Sequence, residues 1–174
     1  IETNLLPTSR PRLVLTGQLG DVMKESAQTA LSYIRSKASE FGLDPEVLQN
    51  NEIHVHLPAG AVPKDGPSAG IAIATSILSA LHRRPPAEKI AMTGEITLHG
   101  KVLPIGGLKE KVLAAQREGI EVVLLPERNR GAFEVLPVHV KKRIKAVFVK
   151  DYRAVFDIMF GNRRGAELDA TAED

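Results

Sequence analysis

A rigid loop between a predicted strand and a predicted helix constrains this chain more than any other stretch. The loop reads PKDGPSAG over residues 63–70, and its prolines and glycines exclude regular structure. Alternating residues at 53–57 before the loop predict a strand, and the apolar residues 71–81 after it predict a buried helix. Ser68 therefore lies where the loop becomes the first turn of a helix.

Two interpretations of Ser68 remain open at this point. Serine is among the best N-capping residues, so a capping role accounts for its position at the start of a helix. The first turn of a helix also presents unpaired backbone N–H groups and the positive end of the helix dipole. Such a place can stabilise an oxyanion or hold a phosphate, and the strand–turn–serine–helix order resembles a nucleophile elbow without its G-x-S-x-G pattern.

Composition excludes several classes of protein. The chain has 174 residues and a formal net charge of +2, with scattered basic residues, which does not favour nucleic-acid binding. It contains no cysteine, which excludes disulfides and thiol catalysis and fits a cytosolic protein. No apolar run approaches the ~20 residues that span a bilayer, and no signal peptide is visible. Because the chain begins at Ile1 rather than methionine, we expect a fragment or a processed product.

Periodic segments alternate between strand and helix, which predicts a single compact α/β domain with a mixed β-sheet and packed helices. After a lead-in over residues 1–11, the predicted strands lie at 12–16, 53–57, 90–96, 100–104, 121–125 and 145–149. The predicted helices lie at 19–41, 71–81, 108–117, 130–136, 138–143 and 152–160. We predict a domain over residues 1–162 and a disordered tail over residues 163–174, which have no periodicity.

A serine nucleophile needs a base, and histidine is the usual one. His54 and His56 share one face of a strand, a spacing that also suits a metal, but no third or fourth ligand is evident. We expect both to be structural or to support the loop from beside it. His82 is expected at the surface, His99 at a turn and His139 in a basic exposed run, so none is compelling as the base.

Lysine is the alternative base, because desolvation can lower its pKa by up to ~3–5 units on full burial. Lys109 and Lys111 are two apart on a predicted helix, so they point in nearly opposite directions. Lys111 lies nearer the apolar stripe formed by Leu108, Val112 and Ala115. The competing interpretation is that both lysines are solvated on an amphipathic helix.

Three motifs together resemble the proteolytic domain of bacterial Lon proteases. They are KDGPSAG at 64–70, TGEI at 93–96 and GGLKEK at 106–111, in the order found in that family. The resemblance extends from Leu13 to Phe160 and implies the fold of that domain, which is also similar to the second domain of a ribosomal protein. The ATPase module of the family has no counterpart here, since no G-x-x-x-x-G-K-[ST] loop exists in the sequence.

The resemblance also implies roles for individual residues. Ser68 matches the family's nucleophile, Lys111 its general base, and Thr93 the hydroxyl that holds the lysine amine. Asp65 and Gly66 lie in the loop whose rearrangement is associated with opening or closing the site. The implied activity is that of a serine endopeptidase with a Ser–Lys dyad.

The wider expectations follow from the family as well. They are a cytoplasmic, hexameric ring that degrades unfolded polypeptides, including misfolded and regulatory proteins. ATP and Mg²⁺ would serve the ATPase module, and this domain itself would need no cofactor or metal and bind neither nucleic acid nor membrane.

Two other functions compete with proteolysis. A small-molecule kinase could hold phosphate at the loop, although Asp65 would repel it and no acidic pair for Mg²⁺ is convincing. A catalytically silent, ring-forming domain of the same fold is the second alternative.

Overall fold

A computed structural model describes residues 1–161, so the tail predicted for 163–174 lies outside the described residues. The strands are β1 (Glu2–Pro7), β2 (Leu13–Thr16), β3 (Asn51–His56), β4 (Ile90–Met92), β5 (Glu95–Ile96), β6 (Val102–Leu103), β7 (Val122–Pro126) and β8 (Lys145–Val149). The helices are α1 (Asp21–Ser36), α2 (Pro45–Gln49), α3 (Gly70–His82), α4 (Leu108–Arg117), α5 (Arg130–Glu134), α6 (Val138–Lys141) and α7 (Tyr152–Phe160). A 3-10 helix, Glu127–Asn129, joins β7 to α5.

The strands form three small sheets with mixed pairing. In the first sheet, β3 pairs antiparallel with β1 and parallel with β2. In the second, β7 lies between β4 and β8, and all three strands are parallel. The third is an antiparallel pair of β5 and β6. The predicted α/β class with mixed strand pairing is confirmed, but the strands are divided among three sheets.

The strand predicted over residues 90–96 is broken at Thr93 and Gly94, which separate β4 from β5. The Gly94 N–H donates to the Ser68 carbonyl oxygen at 2.8 Å instead of joining a sheet. Space is also tight at this point, since a Cβ on Gly94 would lie 2.6 Å from Cγ1 of Val102. The break therefore brings this segment against the loop that carries Ser68.

Two apolar cores support the two halves of the domain. The larger core lies between the first sheet and helices α1, α3 and α7, and the smaller core lies between α4, β7 and α6. Helix α3 follows Ser68, whereas α4 carries Lys111. The helix that follows Ser68 and the helix that carries Lys111 therefore pack into different cores.

Helix α1 is shorter than the sequence predicted, ending at Ser36 rather than Phe41. The chain then continues in turns, with the Leu43 N–H donating to the Ala38 carbonyl at 2.9 Å. Gly42 adopts a φ of +66°, so it stops the segment as expected. Helix α2 was not predicted, although Asp44 as an N-cap followed by proline at the first helical position is a signal for it.

His82, which the sequence predicted at the surface, is half-buried. Its ring packs against Phe156 and Phe160, with centroid distances of 5.9 and 6.2 Å, and its buried Nε2 has no hydrogen-bond partner within residues 1–161. The pKa of His82 is lowered below its ordinary value, mainly by burial and secondly by the positive charge of the nearby Arg84. The helix end that we expected to be solvated is closed by the aromatic side chains of α7.

This burial predicts a pH-dependent stability. Because the His82 pKa is lower in the folded state, the unfolded state binds a proton first as the pH falls below about 6.5. The free energy of unfolding should be level above that pH and should fall below it. Thermal unfolding between pH 8 and 5 should therefore show a weaker pH dependence for His82→Leu than for the wild type. Parallel curves for the two proteins would contradict this account.

Candidate active site

The main chain of Ser68 is held from two sides. The Gly70 N–H donates to the Pro67 carbonyl at 3.1 Å, which closes a tight turn around Ser68. The Ser68 carbonyl accepts from the Gly94 N–H at 2.8 Å and from the Thr93 hydroxyl at 3.1 Å. These contacts fix the direction in which the half-buried serine side chain points.

The capping interpretation of Ser68 is wrong. Helix α3 begins at Gly70, its N-cap position is Ala69, and no side chain caps it. The Ser68 hydroxyl instead accepts a hydrogen bond from Nζ of Lys111, with 3.2 Å between the two heavy atoms. The serine oxygen is therefore paired with the amine of a distant residue.

Helix α4 turns Lys111 towards Ser68. Lys111 is half-buried, whereas Lys109 is exposed, which confirms that the two lysines point in different directions. Leu108, Val112 and Ala115 form the buried face of the helix, as their spacing predicted. The alternative of two solvated lysines does not describe this arrangement.

Two backbone N–H groups in the Ser68 turn have no hydrogen-bond acceptor. Within the described part of the chain, the N–H groups of Ser68 and Ala69 donate to no acceptor. Both belong to the turn that leads into α3, where the helix dipole adds positive potential. The arrangement offers donors for negative charge that develops next to the Ser68 side chain.

Asp65 fastens the loop to helix α1. Its Oδ1 accepts from the Met23 N–H at 2.9 Å and from the Gly66 N–H at 2.8 Å. Gly20, at the N-cap of α1, has no side chain to cap the helix, and a Cβ there would collide with the Asp65 carboxylate. The loop thus supplies the cap that α1 lacks. These hydrogen bonds lower the pKa of Asp65, with the largest effect from the Met23 N–H and the second largest from the Gly66 N–H.

We expect Asp65→Asn to lower the melting temperature at pH 7, because the amide loses the charge that stabilises the helix end. Since the Asp65 pKa is depressed in the folded state, its contribution is present above the unfolded value of 3.8. It is lost as the pH falls further, so the two melting temperatures should converge in acid. Asp21→Asn is the control, because Asp21 lies at the same helix end and pairs with Lys24 in solvent. A difference in melting temperature between Asp65→Asn and the wild type that stays constant from pH 7 to pH 3 would contradict the capping role of Asp65.

Lys64 was assigned no role from the sequence, yet its ammonium ties the start of the loop to the chain segments before it. Nζ donates to the carbonyl oxygens of Gly17, Ala59 and Val62 at 2.9, 2.9 and 3.0 Å. The main chain of Lys64 also bridges to Leu19, beside the end of β2. A lysine within a loop rich in proline and glycine is the signal that could have indicated this role, since the loop has few other ways to satisfy its carbonyl groups.

Within residues 1–161, no histidine forms a hydrogen bond with the Ser68 hydroxyl, whose side-chain partner is Lys111. His54 Nε2 and His56 Nδ1 both bond to the Thr16 hydroxyl, at 2.9 and 2.7 Å, which supports a structural role for the pair. Residues 1–161 contain no group of three or more potential metal-ligating His, Cys, Asp or Glu side chains. His99 and His139 are exposed.

In the described range, no helix combines the length and apolar character needed to cross a membrane.

Comparison with known proteins identifies the family. A family model described as the Lon protease C-terminal proteolytic domain matches residues 1–162. The chain belongs to the Lon protease family. A Lon protease of Trichlorobacter lovleyi is 59% identical over 84% of this chain and 18% of its own length. For the Lon protease of Halothermothrix orenii the identity is 52%, over 92% of this chain and 20% of the relative.

The match describes one part of a longer architecture. A Lon protease of Aquifex aeolicus is 57% identical over 84% of this chain but only 18% of its own length. The chain thus spans about a fifth of the length of the curated relatives that it matches. It is a Lon proteolytic domain, as the three sequence motifs predicted.

Proposed function

We propose that this Lon proteolytic domain is a serine endopeptidase in which Ser68 is the nucleophile and Lys111 the general base. The observation that supports this most strongly is the 3.2 Å contact between Nζ of Lys111 and Oγ of Ser68. A serine and a base within hydrogen-bond reach are the elements of an activated nucleophile. No cofactor or metal ion is required by this chemistry.

Acylation begins with Lys111 in its neutral form. Its amine takes the Ser68 proton as Oγ attacks the scissile carbonyl carbon, which gives a tetrahedral intermediate. The oxyanion accepts hydrogen bonds from the N–H groups of Ser68 and Ala69, which are free to donate. Protonated Lys111 then passes its proton to the leaving amine, and the acyl-enzyme forms.

Deacylation repeats these steps with water. Lys111, neutral again after the amine has left, takes a proton from the attacking water and returns it to Ser68 Oγ as the ester breaks. A polypeptide bound over the site displaces solvent, and desolvation favours the uncharged form of an amine. Substrate binding would therefore support the base that the reaction requires.

Thr93 holds the main chain of Ser68 in this scheme. Its hydroxyl proton is used in the hydrogen bond to the Ser68 carbonyl, at 3.1 Å, and Thr93 is buried. The lone pairs of the same oxygen remain available to accept from the Lys111 amine. The family role of Thr93 towards the Lys111 amine stays a prediction, since the hydrogen bond of this hydroxyl in residues 1–161 goes to the Ser68 carbonyl.

The substrate is an unfolded polypeptide, since a half-buried dyad is reached by an extended segment rather than by a folded surface. The wider proposal is a cytoplasmic hexamer in which a separate module uses ATP and Mg²⁺ to unfold misfolded and regulatory proteins.

The chain should cleave short flexible peptides slowly, and we expect little or no degradation of a stable folded protein. A fluorogenic peptide assay tests this, and an inactive wild type would favour a silent ring-forming domain.

We also expect the chain alone to bind no ATP, because its sequence lacks a phosphate-binding loop of the P-loop type. The Asp65 carboxylate within the loop would repel a phosphate that approached the start of α3. Isothermal titration calorimetry with ATP and Mg²⁺ should give no binding heat. Micromolar affinity would revive the kinase interpretation and would remove the basis for a separate ATPase module.

A further inference from the structure

We propose that Asn129 is a positioning residue that sets the distance between Lys111 and Ser68 by clamping the segment from which helix α4 starts. The inference rests on the proposed Ser–Lys function. Asn129 ends the 3-10 helix after β7 and is one of the few buried polar side chains, with 6% of its surface exposed. It contacts neither the serine nor the lysine, so its action would be indirect.

The amide of Asn129 satisfies both backbone groups of one residue. Its Oδ1 accepts from the Ile105 N–H at 2.9 Å, and its Nδ2 donates to the Ile105 carbonyl at 3.0 Å. A single side chain thus pairs with Ile105 in the way that a neighbouring strand would. Asn has one acceptor oxygen and a donor group that point in nearly the same direction, which few other side chains of this size provide.

The clamped segment determines where α4 begins. Ile105 is followed by Gly106 and then by Gly107, which occupies the N-cap position with a φ of +65°. No side chain caps α4. Two successive glycines would let the helix start at many orientations, because they restrict the backbone least. The Asn129 clamp fixes the chain immediately before this flexible step, and Lys111 follows one turn later.

Strand β7 anchors the other half of the site as well. The Thr93 N–H donates to the Leu124 carbonyl of β7 at 3.2 Å, and the Thr93 hydroxyl donates to the Ser68 carbonyl. Asn129 follows the end of β7 at Pro126 by three residues. The serine and the lysine are therefore both positioned relative to one strand, the serine through Thr93 and the lysine through Asn129.

This placement predicts a defect in turnover rather than in binding. Loss of the clamp should let α4 shift, and a misplacement of about 1 Å between reacting groups can reduce rate about 10²-fold. We expect Asn129→Leu, which keeps the branched shape and the number of heavy atoms but removes both hydrogen bonds, to lower kcat by about 10–100-fold. KM for a short peptide should change little. Asn129→Asp keeps an acceptor for the Ile105 N–H, so its activity should lie between those of Asn129→Leu and the wild type.

The experiment compares these variants with Asn51→Leu in a fluorogenic peptide assay and in labelling of Ser68 by a fluorophosphonate. Asn51 donates to the Val47 carbonyl at 2.9 Å, so this control also loses a bond between an asparagine and the main chain. Thermal melts verify folding, and hydrogen exchange at Ile105 should accelerate in Asn129→Leu. If Asn129→Leu does not fold, the comparison of Asn129→Asp with the wild type decides.

Three results overturn the inference in different ways. A folded Asn129 variant with unchanged kcat and labelling rate, alongside an inactive Lys111→Arg, removes Asn129 from the positioning of the dyad and leaves the proposed function intact. Full activity of Lys111→Arg removes the proposed function itself. An equal loss of kcat in Asn51→Leu would show that the effect is general destabilisation.

Discussion

Replacing Ser68 with alanine leaves a folded protein that no longer hydrolyses peptides, with a loss that we expect to exceed about 10³-fold. The effect is large because Oγ forms the covalent bond to the substrate, and neither the free N–H donors nor Lys111 can replace that atom. The measurement is the initial rate of cleavage of a fluorogenic peptide by the purified variant.

The fold of this variant should survive, because the Ser68 main chain keeps its bonds from Gly94 and Thr93. Ser79→Ala is the matched control, since Ser79 lies on α3 and bonds to the Arg84 carbonyl at 2.8 Å. It should retain the wild-type rate. Activity retained by Ser68→Ala in a preparation free of contaminating peptidase would remove Ser68 from the mechanism.

Lys111→Arg should be almost as damaging, with a loss above about 10³-fold. Arginine keeps the positive charge and a similar length, but the guanidinium stays protonated and cannot take the Ser68 proton. The substitution therefore separates a general base from a residue that supplies only charge. Peptide cleavage should be measured from pH 6 to pH 10. We expect Lys111→Arg to be inactive over this whole range, because the guanidinium stays protonated.

Lys109→Arg is the control for this experiment. Lys109 is on the same helix, two residues away, and is exposed. The same chemical change there should leave turnover within about twofold of the wild type, as is usual for surface substitutions. Near-normal turnover by Lys111→Arg would mean that another group takes the proton, and single substitutions of His54, His56 and His99 would then identify it.

Local elements of this fold were predictable because their signals are local. Helices α4 and α7 and strand β8 match the predicted bounds, since apolar spacing and flanking glycine or aspartate residues define their ends. Helix α1 was overextended because residues up to Phe41 keep the apolar period although the chain has left the helix. Periodicity reports which residues are buried, and turns can bury them too.

The division into sheets and the contacts of single side chains were harder to predict from the sequence. The break at Thr93 and Gly94 depends on the nucleophile loop, which lies far away in sequence, so the local β pattern could not reveal it. The burial of His82 likewise depends on α7. The Ser68–Lys111 contact joins residues 43 apart, and only the combination of three motifs indicated it. Asn129 acts on the main chain of a distant residue, and Lys64 on distant Gly17 as well as on nearby Ala59 and Val62, and none of these contacts has a periodic signal in the sequence.

The most direct test of the Ser–Lys account is covalent labelling with a fluorophosphonate, followed by peptide mass spectrometry. The account predicts one adduct on Ser68 in the wild type and in Lys109→Arg, and at least about 10³-fold slower labelling in Lys111→Arg. Labelling of another residue, or labelling of Ser68 at the wild-type rate in Lys111→Arg, would contradict it.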